Sequence, residues 1–231
     1  MFIAGLQKNS FIDFPGKISC VLFLTGCNFI CPYCHNPELA RGEYPQQIPF
    51  SEVIDFLSKR KGLLEGVTIT GGEPTLERGL AELCQSIKAL GYPVKLDTNG
   101  SRPDTLGRLL DQNLLDFVAM DIKAPLDAYQ PFSRHSHTKA RLTESIRRIM
   151  DHAPAYEFRT TCVRPFISAE AIKSIARTIE GATHYVLQPF NPRATCLDPE
   201  FGQDQDPTIL PETMQQLKEF AEPFVLRCTI R

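Results

Sequence analysis

The sequence predicts an α/β protein built on a mostly parallel sheet. Short runs rich in β-branched and aromatic residues alternate with longer amphipathic runs along the chain, and no low-complexity segment separates them. Parallel strands joined by helical crossovers produce that alternation. About six such units fit into 231 residues, whereas a closed eight-unit barrel usually needs about 250. We therefore expect a single domain over residues 1–231 that forms a partial, laterally open (β/α)6 barrel of the TIM type.

Seven segments have the composition of strands. They are residues 18–24, 66–70, 93–97, 116–122, 157–163, 184–190 and 224–230, the last being an extra strand at the C-terminus. Because helices cover both faces of a parallel sheet, we expect these strands to be continuous apolar runs. Helices are predicted between them: one capped by Ser51, one that ends at Gly91, and one that runs from Ser168 to Gly181.

The composition argues against several classes of function. A formal net charge of -2 at pH 7, with basic residues scattered among acids, leaves no broad basic face for nucleic acid. The longest apolar stretch, residues 20–24, is too short to cross a bilayer, and no basic region precedes an apolar run at the N-terminus. We expect a cytoplasmic protein that binds neither nucleic acid nor membrane. In that reducing compartment, metal ligation or burial explains eight cysteines better than disulfides do.

Polar residues and cysteines follow the predicted strands at the points where the strands end. Because the loops at the carboxyl ends of parallel strands build the active sites of such folds, we expect these residues to lie along one rim. They are Cys27, Cys31 and Cys34 after the first strand, Gly71 to Pro74 (GGEP) after the second, Asp97 to Gly100 (DTNG) after the third, Asp121 and Lys123 at the fourth, and Gln188 at the sixth.

The three cysteines lie within eight positions of the segment TGCNFICPYCHN. Pro32 and the polar neighbours Asn28 and His35 favour a loop over a buried helix, so coincidental core residues are a poor explanation. Zinc is one metal that these cysteines could bind, although the chain would have to bend sharply for His35 and the adjacent Cys34 to bind the same ion. An iron-sulfur cluster normally takes four cysteines, so three would leave one iron open to a substrate or cofactor.

The segment CNFICPYC resembles the Cys-x3-Cys-x2-Cys signature of radical S-adenosylmethionine (SAM) enzymes, with the aromatic Tyr33 before the third cysteine. The resemblance implies that the three cysteines hold a [4Fe-4S] cluster. It also implies that SAM chelates the fourth iron and is cleaved by one electron to methionine and a 5'-deoxyadenosyl radical. The GGEP segment is similar to the one that accepts hydrogen bonds from the methionyl ammonium, which implicates Gly71, Gly72 and Glu73.

Further segments resemble the activases of glycyl radical enzymes. They are CHNPEL (34–39), DTNG, DIK (121–123) and FIDFPGKIS (11–19). This resemblance implies that Asp97 and Asp121 help to bind a monovalent cation, although an aspartate at a strand end is also a common helix cap. By the same resemblance the remaining cofactor contacts are Tyr33, Asn99, Lys123, Arg159 and Gln188. The alternative for Lys123 is an ion pair with Asp121, and the alternative for Arg159 is a salt bridge.

The combination of SFIDFPGK with CNFICPYCHNPEL is most similar to the longer form of the activating proteins of anaerobic ribonucleoside-triphosphate reductase. Pyruvate formate-lyase activases have a glycine and an arginine roughly where Phe14 and Lys17 stand. The resemblance implies two partners: the glycyl radical loop of the reductase, and flavodoxin or a similar one-electron donor. Activation of pyruvate formate-lyase or another glycyl radical enzyme, or radical chemistry on a small molecule, is the alternative. A binding module stabilised by zinc, or a simple electron carrier, would not explain why GGEP, DTNG and DIK follow successive strands.

A chain that abstracts hydrogen from another protein needs a wide opening. We expect residues 9–17, 125–138 and 191–207 to lie nearest to it. The middle loop is basic, which is more typical of a solvated surface than of a partner contact. Among the other thiols, Cys20, Cys84, Cys162 and Cys228 lie in strand or helix patterns and are expected to be buried, whereas Cys196 lies in a loop.

Overall fold

The computed structural model describes residues 1–45 and 47–231. Its strands are β1 (Phe2–Ile3), β2 (Gly5–Ser10), β3 (Ser19–Leu24), β4 (Ile48–Pro49), β5 (Gly66–Gly71), β6 (Val94–Thr98), β7 (Phe117–Asp121), β8 (Tyr156–Cys162), β9 (Tyr185–Pro189) and β10 (Cys228–Ile230). Its α-helices are α1 (Pro37–Arg41), α2 (Phe50–Lys59), α3 (Leu80–Ala89), α4 (Pro103–Asp111), α5 (Thr138–His152), α6 (Ala169–Thr178) and α7 (Pro211–Ala221). All seven predicted strands form, and the fold is α/β.

The main sheet has the strand order β10-β9-β8-β7-β6-β5-β3-β2 across the described residues. Strands β3 and β5 to β10 are parallel to one another, β2 runs antiparallel to β3, and β1 and β4 form a separate antiparallel pair. Each of these parallel strands lies beside the one that precedes it in the chain, as helical crossovers of one hand require. Because the terminal strands β2 and β10 do not pair with each other, the sheet is that of a partial barrel that is open on one side.

Strand β2 was not predicted, and it changes the position of the loop that follows it. Gly5 pairs with Phe23, and Ser10 pairs with Ser19, so residues 11–18 turn at the amino end of β3. The cysteines follow the carboxyl end of β3. The expectation that residues 9–17 lie near the substrate opening is therefore wrong, because an antiparallel hairpin necessarily turns at the opposite edge.

The other two loops do lie beside the cysteines. The amide of Ile30 donates to the carbonyl of Phe132 at 2.9 Å, and the amide of Asp198 donates to the carbonyl of Pro32 at 3.0 Å. These bonds attach the segments 125–138 and 191–207 to the cysteine loop and confirm their predicted position at the carboxyl edge.

Two of the three predicted helix signals are confirmed. The hydroxyl of Ser168 accepts the amide of Ala171 at 3.2 Å and caps α6. Helix α3 is followed by Gly91, whose φ of +88° suits a glycine after a helix end. The Ser51 cap is wrong: α2 begins one residue earlier, at Phe50, and the residue before it is Pro49, which has no side-chain cap.

The prediction of continuous apolar strands is wrong for the inner face of the sheet. Lys95 is 1% exposed, and Glu157, which is fully buried, accepts a bond from the guanidinium of Arg231 at 2.6 Å. Side chains alternate along a strand, so every second residue of β6 and β8 points into the barrel and can be charged while its neighbours pack under the helices. The four cysteines expected to be buried lie among the apolar side chains of that outer layer: Cys20, Cys84, Cys162 and Cys228.

No helix in the described part of the chain is long and apolar enough to cross a membrane.

Candidate active site

A cavity of about 260 Å³ lies at the carboxyl edge of the sheet. The structure brings most of the predicted site residues to its wall: Cys27, Cys31, Tyr33, Cys34, Gly71, Gly72, Asp97, Asn99, Asp121, Lys123 and Arg159. They come from five successive strand ends, as expected for a parallel α/β fold. Glu73 and Gln188 are the predicted site residues that do not line the cavity.

The cysteine loop is held by backbone hydrogen bonds at its start and by its neighbours along its length. The amide of Gly26 donates to the carbonyl of Leu39 at 2.7 Å, and that of Cys27 donates to Ala40 at 3.0 Å, which ties the loop to α1. A tight turn follows, in which the amide of Cys34 donates to the carbonyl of Cys31 at 3.0 Å. The thiols therefore have fixed backbone positions before any ligand is bound.

Tyr33 is 4% exposed and anchors the same loop. Its ring lies 5.8 to 6.4 Å from four aromatic rings, those of Phe132, Phe166, Phe190 and Phe201. Its hydroxyl oxygen is buried and has no hydrogen-bond partner among the described residues. The side chain therefore holds the cysteine loop against the long rim loops by aromatic packing.

The two glycines of GGEP are required by close contact with the cysteine segment. Gly71 has a φ of +123°, and a Cβ there would overlap the backbone of Leu24. A Cβ on Gly72 would overlap the backbone of Gly26, immediately before Cys27. The resemblance implied that these glycines contact the methionyl ammonium, and the structure adds that β5 and the cysteine loop can touch only where side chains are absent.

Glu73 faces away from the cavity and joins two loops. It is 1% exposed, and its carboxylate accepts bonds from the amide of Thr75 (3.0 Å), the hydroxyl of Thr98 (2.7 Å) and the amide of Asn99 (2.6 Å). The hydroxyl of Thr75 is a further donor. Burial raises the pKa of Glu73, although these hydrogen bonds lower it. Three of these bonds go to Oε1 and one goes to Oε2, so the carboxylate is committed to joining the two loops.

Arg159 lies between the two aspartates that were predicted to bind a cation. Its guanidinium is 2.7 Å from an oxygen of Asp121 and 3.2 Å from an oxygen of Asp97. Lys123 is 2.9 Å from the other oxygen of Asp121, and Lys95 contacts Asp97. Burial disfavours ionisation of both aspartates, but Arg159 and the lysines lower the pKa of each below its ordinary value. The chain thus supplies three cationic groups to these carboxylates, so a monovalent cation there would have to compete with Arg159.

Charge also surrounds the thiols. Burial raises the pKa of Cys31 to about 12 and raises that of Cys27, while Lys123 acts in the opposite direction on both. Burial disfavours the Lys123 ammonium, yet Asp121 and Cys31 raise its pKa well above the ordinary value, so it remains charged. The ammonium favours thiolates, which are the form in which cysteine binds metal.

Sequence reasoning left Thr161 out and considered His35 only as a zinc ligand. Thr161 lines the cavity from β8, two positions after Arg159, and the alternation of strand side chains was a signal that could have identified it. His35 lines it as well, with its ring 5.0 Å from that of Phe190 and with no hydrogen-bond partner for its buried Nε2 among the described residues. Gln188 is half-buried on β9, where it is the register partner of Thr161.

The sequence matches the model of the radical SAM superfamily over residues 21–180, and the chain belongs to that superfamily. It is 34% identical to a Methanocaldococcus jannaschii protein named as a glycyl-radical enzyme activating enzyme, and the match covers 99% of this chain and 95% of that protein. Within the superfamily, the chain is thus a member of the glycyl-radical enzyme activating family.

One further relative is an activating enzyme, and a solved structure has the same fold. The pyruvate formate-lyase-activating enzyme of Staphylococcus epidermidis is 34% identical over 52% of this chain and 51% of that enzyme. A radical SAM methyltransferase from Sphaerobacter thermophilus has the same fold, with a TM-score of 0.69 and 15% identity over 96% of this chain and 68% of that one. Members of the superfamily use a [4Fe-4S] cluster and SAM, and this chain is an enzyme of that kind.

The residues of the cavity suit those two cofactors. Three thiols give a soft donor set on one side, and polar and charged groups that can hold an amino acid lie on the other. Buried polar atoms of Tyr33 and His35 that face no partner in the described residues leave hydrogen-bonding capacity at the wall. A single metal ion is a different case from a cluster, which binds each cysteine through a different iron. Within residues 1–45 and 47–231, no three His, Cys, Asp or Glu side chains are close enough together to hold one metal ion.

The contact between Gly72 and Gly26 generates a test of loop packing. Gly72→Ala should lower the free energy of unfolding by about 2 kcal/mol, because the new methyl group overlaps a backbone that cannot move aside cheaply. Chemical denaturation followed by circular dichroism measures the change. Gly5→Ala is the matched control, because a Cβ at residue 5 meets only the Phe23 side chain at 3.4 Å. Equal stability of the two variants would contradict the packing argument.

The position of Arg159 generates a prediction about pH. The lowered pKa values of Asp97 and Asp121 stabilise the folded protein above their ordinary value of 3.8, and this stability is lost as the pH falls through the folded values. Arg159→Met should cost about 3 kcal/mol near neutral pH, and the deficit should shrink below about pH 4. Urea denaturation from about pH 3 to about pH 7 measures this.

The exposed Arg147 on α5 provides the control, since its ion pairs with Glu144 and Asp151 are at the surface. Arg147→Met should leave stability nearly unchanged at any pH, because solvent screens surface ion pairs. A deficit of Arg159→Met that grows as the pH falls would show that the aspartates are not held ionised by this guanidinium.

Proposed function

We propose that this enzyme installs a glycyl radical on an anaerobic ribonucleoside-triphosphate reductase. The observation that carries the proposal is the single cavity in which Cys27, Cys31 and Cys34 meet the backbone of Gly71 and Gly72. The full-length similarity to an activating enzyme supports the reaction class. The segment SFIDFPGK, with Phe14 and Lys17, supports the reductase as the target.

The chain's own residues have separate tasks in this proposal. Cys27, Cys31 and Cys34 would hold the cluster, and the backbone of Gly71 and Gly72 would accept the methionyl ammonium. When bound, the cluster and SAM supply a 5'-deoxyadenosyl radical upon one-electron reduction. Lys123 and Arg159 provide the positive charge that receives the methionyl carboxylate, and their ion pairs with Asp121 fix where that charge lies.

The proposed contacts of the remaining predicted residues follow from their positions. Asn99, whose amide nitrogen lies 3.8 Å from the Cys27 sulfur, borders both the cluster and the cofactor. Tyr33 lines the cavity, and its ring anchors the cysteine loop. A monovalent cation at Asp97 and Asp121 requires Arg159 to move aside. Gln188 is the register partner of Thr161, which lines the cavity, and would contact the cofactor from β9.

A second cavity of about 370 Å³ supports a protein as the substrate. It adjoins the first through His35 and Asn36, which line both, and it extends to Gly5 and Phe23 on the open side of the sheet. A backbone glycine can be reached only if several neighbouring residues of its segment enter with it. The two contiguous cavities offer such a segment a route from the open side to the thiols. As a separate part of the proposal, the reaction takes place in the cytoplasm.

The match to a pyruvate formate-lyase-activating enzyme favours one alternative target. That match covers about half of the chain, and the pattern of Phe14 and Lys17 departs from those activases. Both targets need the same chemistry at the same cavity. The two targets would be recognised by different surface contacts. The radical-transfer experiment below distinguishes between them.

The cluster can be tested by metal content. Protein purified without oxygen should be brown and hold about four irons per chain. Alanine at Cys27, Cys31 or Cys34 should remove most of the iron and all SAM cleavage. The matched controls are the buried Cys84→Ala and Cys162→Ala, which should retain both. Stoichiometric zinc in colourless, active protein would contradict the proposal.

The target can be tested by radical transfer. Under strict anaerobiosis with a one-electron donor, electron paramagnetic resonance should show a glycyl signal on the reductase that grows as 5'-deoxyadenosine accumulates. Deuterium at the target Cα should appear in 5'-deoxyadenosine, and alanine at that glycine should abolish the signal. If pyruvate formate-lyase acquired the radical and the reductase did not, the alternative target would replace this one. Fast SAM cleavage with neither partner modified would favour a small molecule.

A further inference from the structure

A third cavity, of about 290 Å³, is lined by three arginines. Arg78 lies just before α3, Arg102 just before α4, and Arg108 on α4 itself. The ion pairs within the described residues all involve other side chains. Glu77 is the acidic residue of the lining, and its carboxylate accepts the amide of Gly79 at 3.0 Å. The cavity therefore concentrates positive charge on a chain whose overall charge is slightly negative.

This arginine cavity is connected to the cysteine loop by a short hydrogen-bonded path. Thr75 lines the cavity and donates its amide to Glu73 at 3.0 Å. Glu73 accepts the amide of Asn99 at 2.6 Å, and the side chain of Asn99 lies 3.8 Å from the sulfur of Cys27. Three residues thus separate the arginine cavity from a predicted cluster ligand, and Thr75 and Glu73 are both buried.

We propose that the arginine cavity is the docking site of an acidic one-electron carrier protein that reduces the cluster. The inference rests on the proposed function, because only a reductive SAM enzyme needs such a carrier. Positive charge around a recess attracts an acidic partner and speeds its association. A reduced flavin of the carrier would lose one electron and become a semiquinone, the oxidised cluster would gain that electron, and no atom would be transferred.

The location favours the carrier over the glycyl radical enzyme. The arginine cavity has no lining residue in common with the catalytic cavity or with the second cavity that leads to it. A carrier at Arg78, Arg102 and Arg108 would therefore leave the route past His35 and Asn36 free for the target glycine. Both partners can then be bound when the electron arrives.

The test reverses charge at two of the three arginines in the cluster-loaded enzyme. Arg102→Glu with Arg108→Glu should weaken binding of flavodoxin about tenfold or more in low salt, and high salt should reduce the difference from the wild type. Isothermal titration calorimetry with oxidised flavodoxin measures the affinity without turnover. SAM cleavage driven by dithionite should be unchanged, because that small reductant needs no docking site.

The matched control is Lys8→Glu with Arg227→Glu, which makes the same change in net charge at exposed residues outside these cavities. It should bind flavodoxin nearly as the wild type does. The neutral pair Arg102→Gln with Arg108→Gln should weaken binding by an intermediate factor, and it decides the question if the glutamate pair does not fold.

Equal flavodoxin affinity of the arginine variants and the control would overturn the inference. Unchanged flavodoxin affinity with weakened binding of the glycyl radical enzyme would also overturn it and would assign the surface to that partner. Absence of dithionite-driven SAM cleavage in the wild type would instead refute the proposed function. Flavodoxin affinity would then be uninformative about catalysis but would still report whether the surface binds an acidic protein.

Discussion

The buried carboxylate of Glu73 is the interaction on which the arrangement of the site depends. It joins the end of β5 to the end of β6 through Thr75, Thr98 and Asn99. Burying a carboxylate costs free energy unless its oxygens accept hydrogen bonds. The two loops can therefore separate only if this carboxylate loses its hydrogen bonds. The contact of Gly72 with Gly26 extends this constraint to the cysteine segment. Three loops from three strands consequently have one relative position.

Ion pairs between neighbouring strands arrange the charged side chains inside the barrel. Asp121 and Arg159 are register neighbours on β7 and β8, and Asp97 lies on the next strand across. Such pairs contribute little net stability, because desolvation of the ions offsets their attraction. Their effect is to fix the position of positive charge next to the thiols. A site that receives an anionic carboxylate and an electron benefits from preorganised charge more than from additional stability.

The sequence was sufficient for the layout of strands and for the site residues that follow them. Alternation of short and long periodic runs located all seven parallel strands, and the rule that loops at carboxyl ends form the site brought Cys27, Asp97 and Lys123 together. It was insufficient for β2, because GLQKNS is polar and half-exposed and its strand state is set by pairing with β3. Local composition contains no information about such a partner.

Side-chain direction was the second element that the sequence left open. The motif GGEP suggested that Glu73 contacts a ligand, but its orientation depends on Thr98 and Asn99, which are distant in the chain. In the sequences of β6 and β8, charged residues alternate with apolar or small residues. The general expectation for parallel strands nevertheless favoured continuous apolar runs. Alternation within each strand was the better guide, because a barrel interior tolerates charges that pair across neighbouring strands.

The hairpin of residues 11–18 separates the two edges of the sheet in a way that is useful for engineering. Phe11 and Ile12 are 75% and 78% exposed, and they lie at the edge opposite the cysteine loop. An anchoring group attached there would hold the molecule to an electrode or a resin with its catalytic edge toward solution. Every molecule in such a layer would present the same face, so contact with a partner would not depend on random orientation.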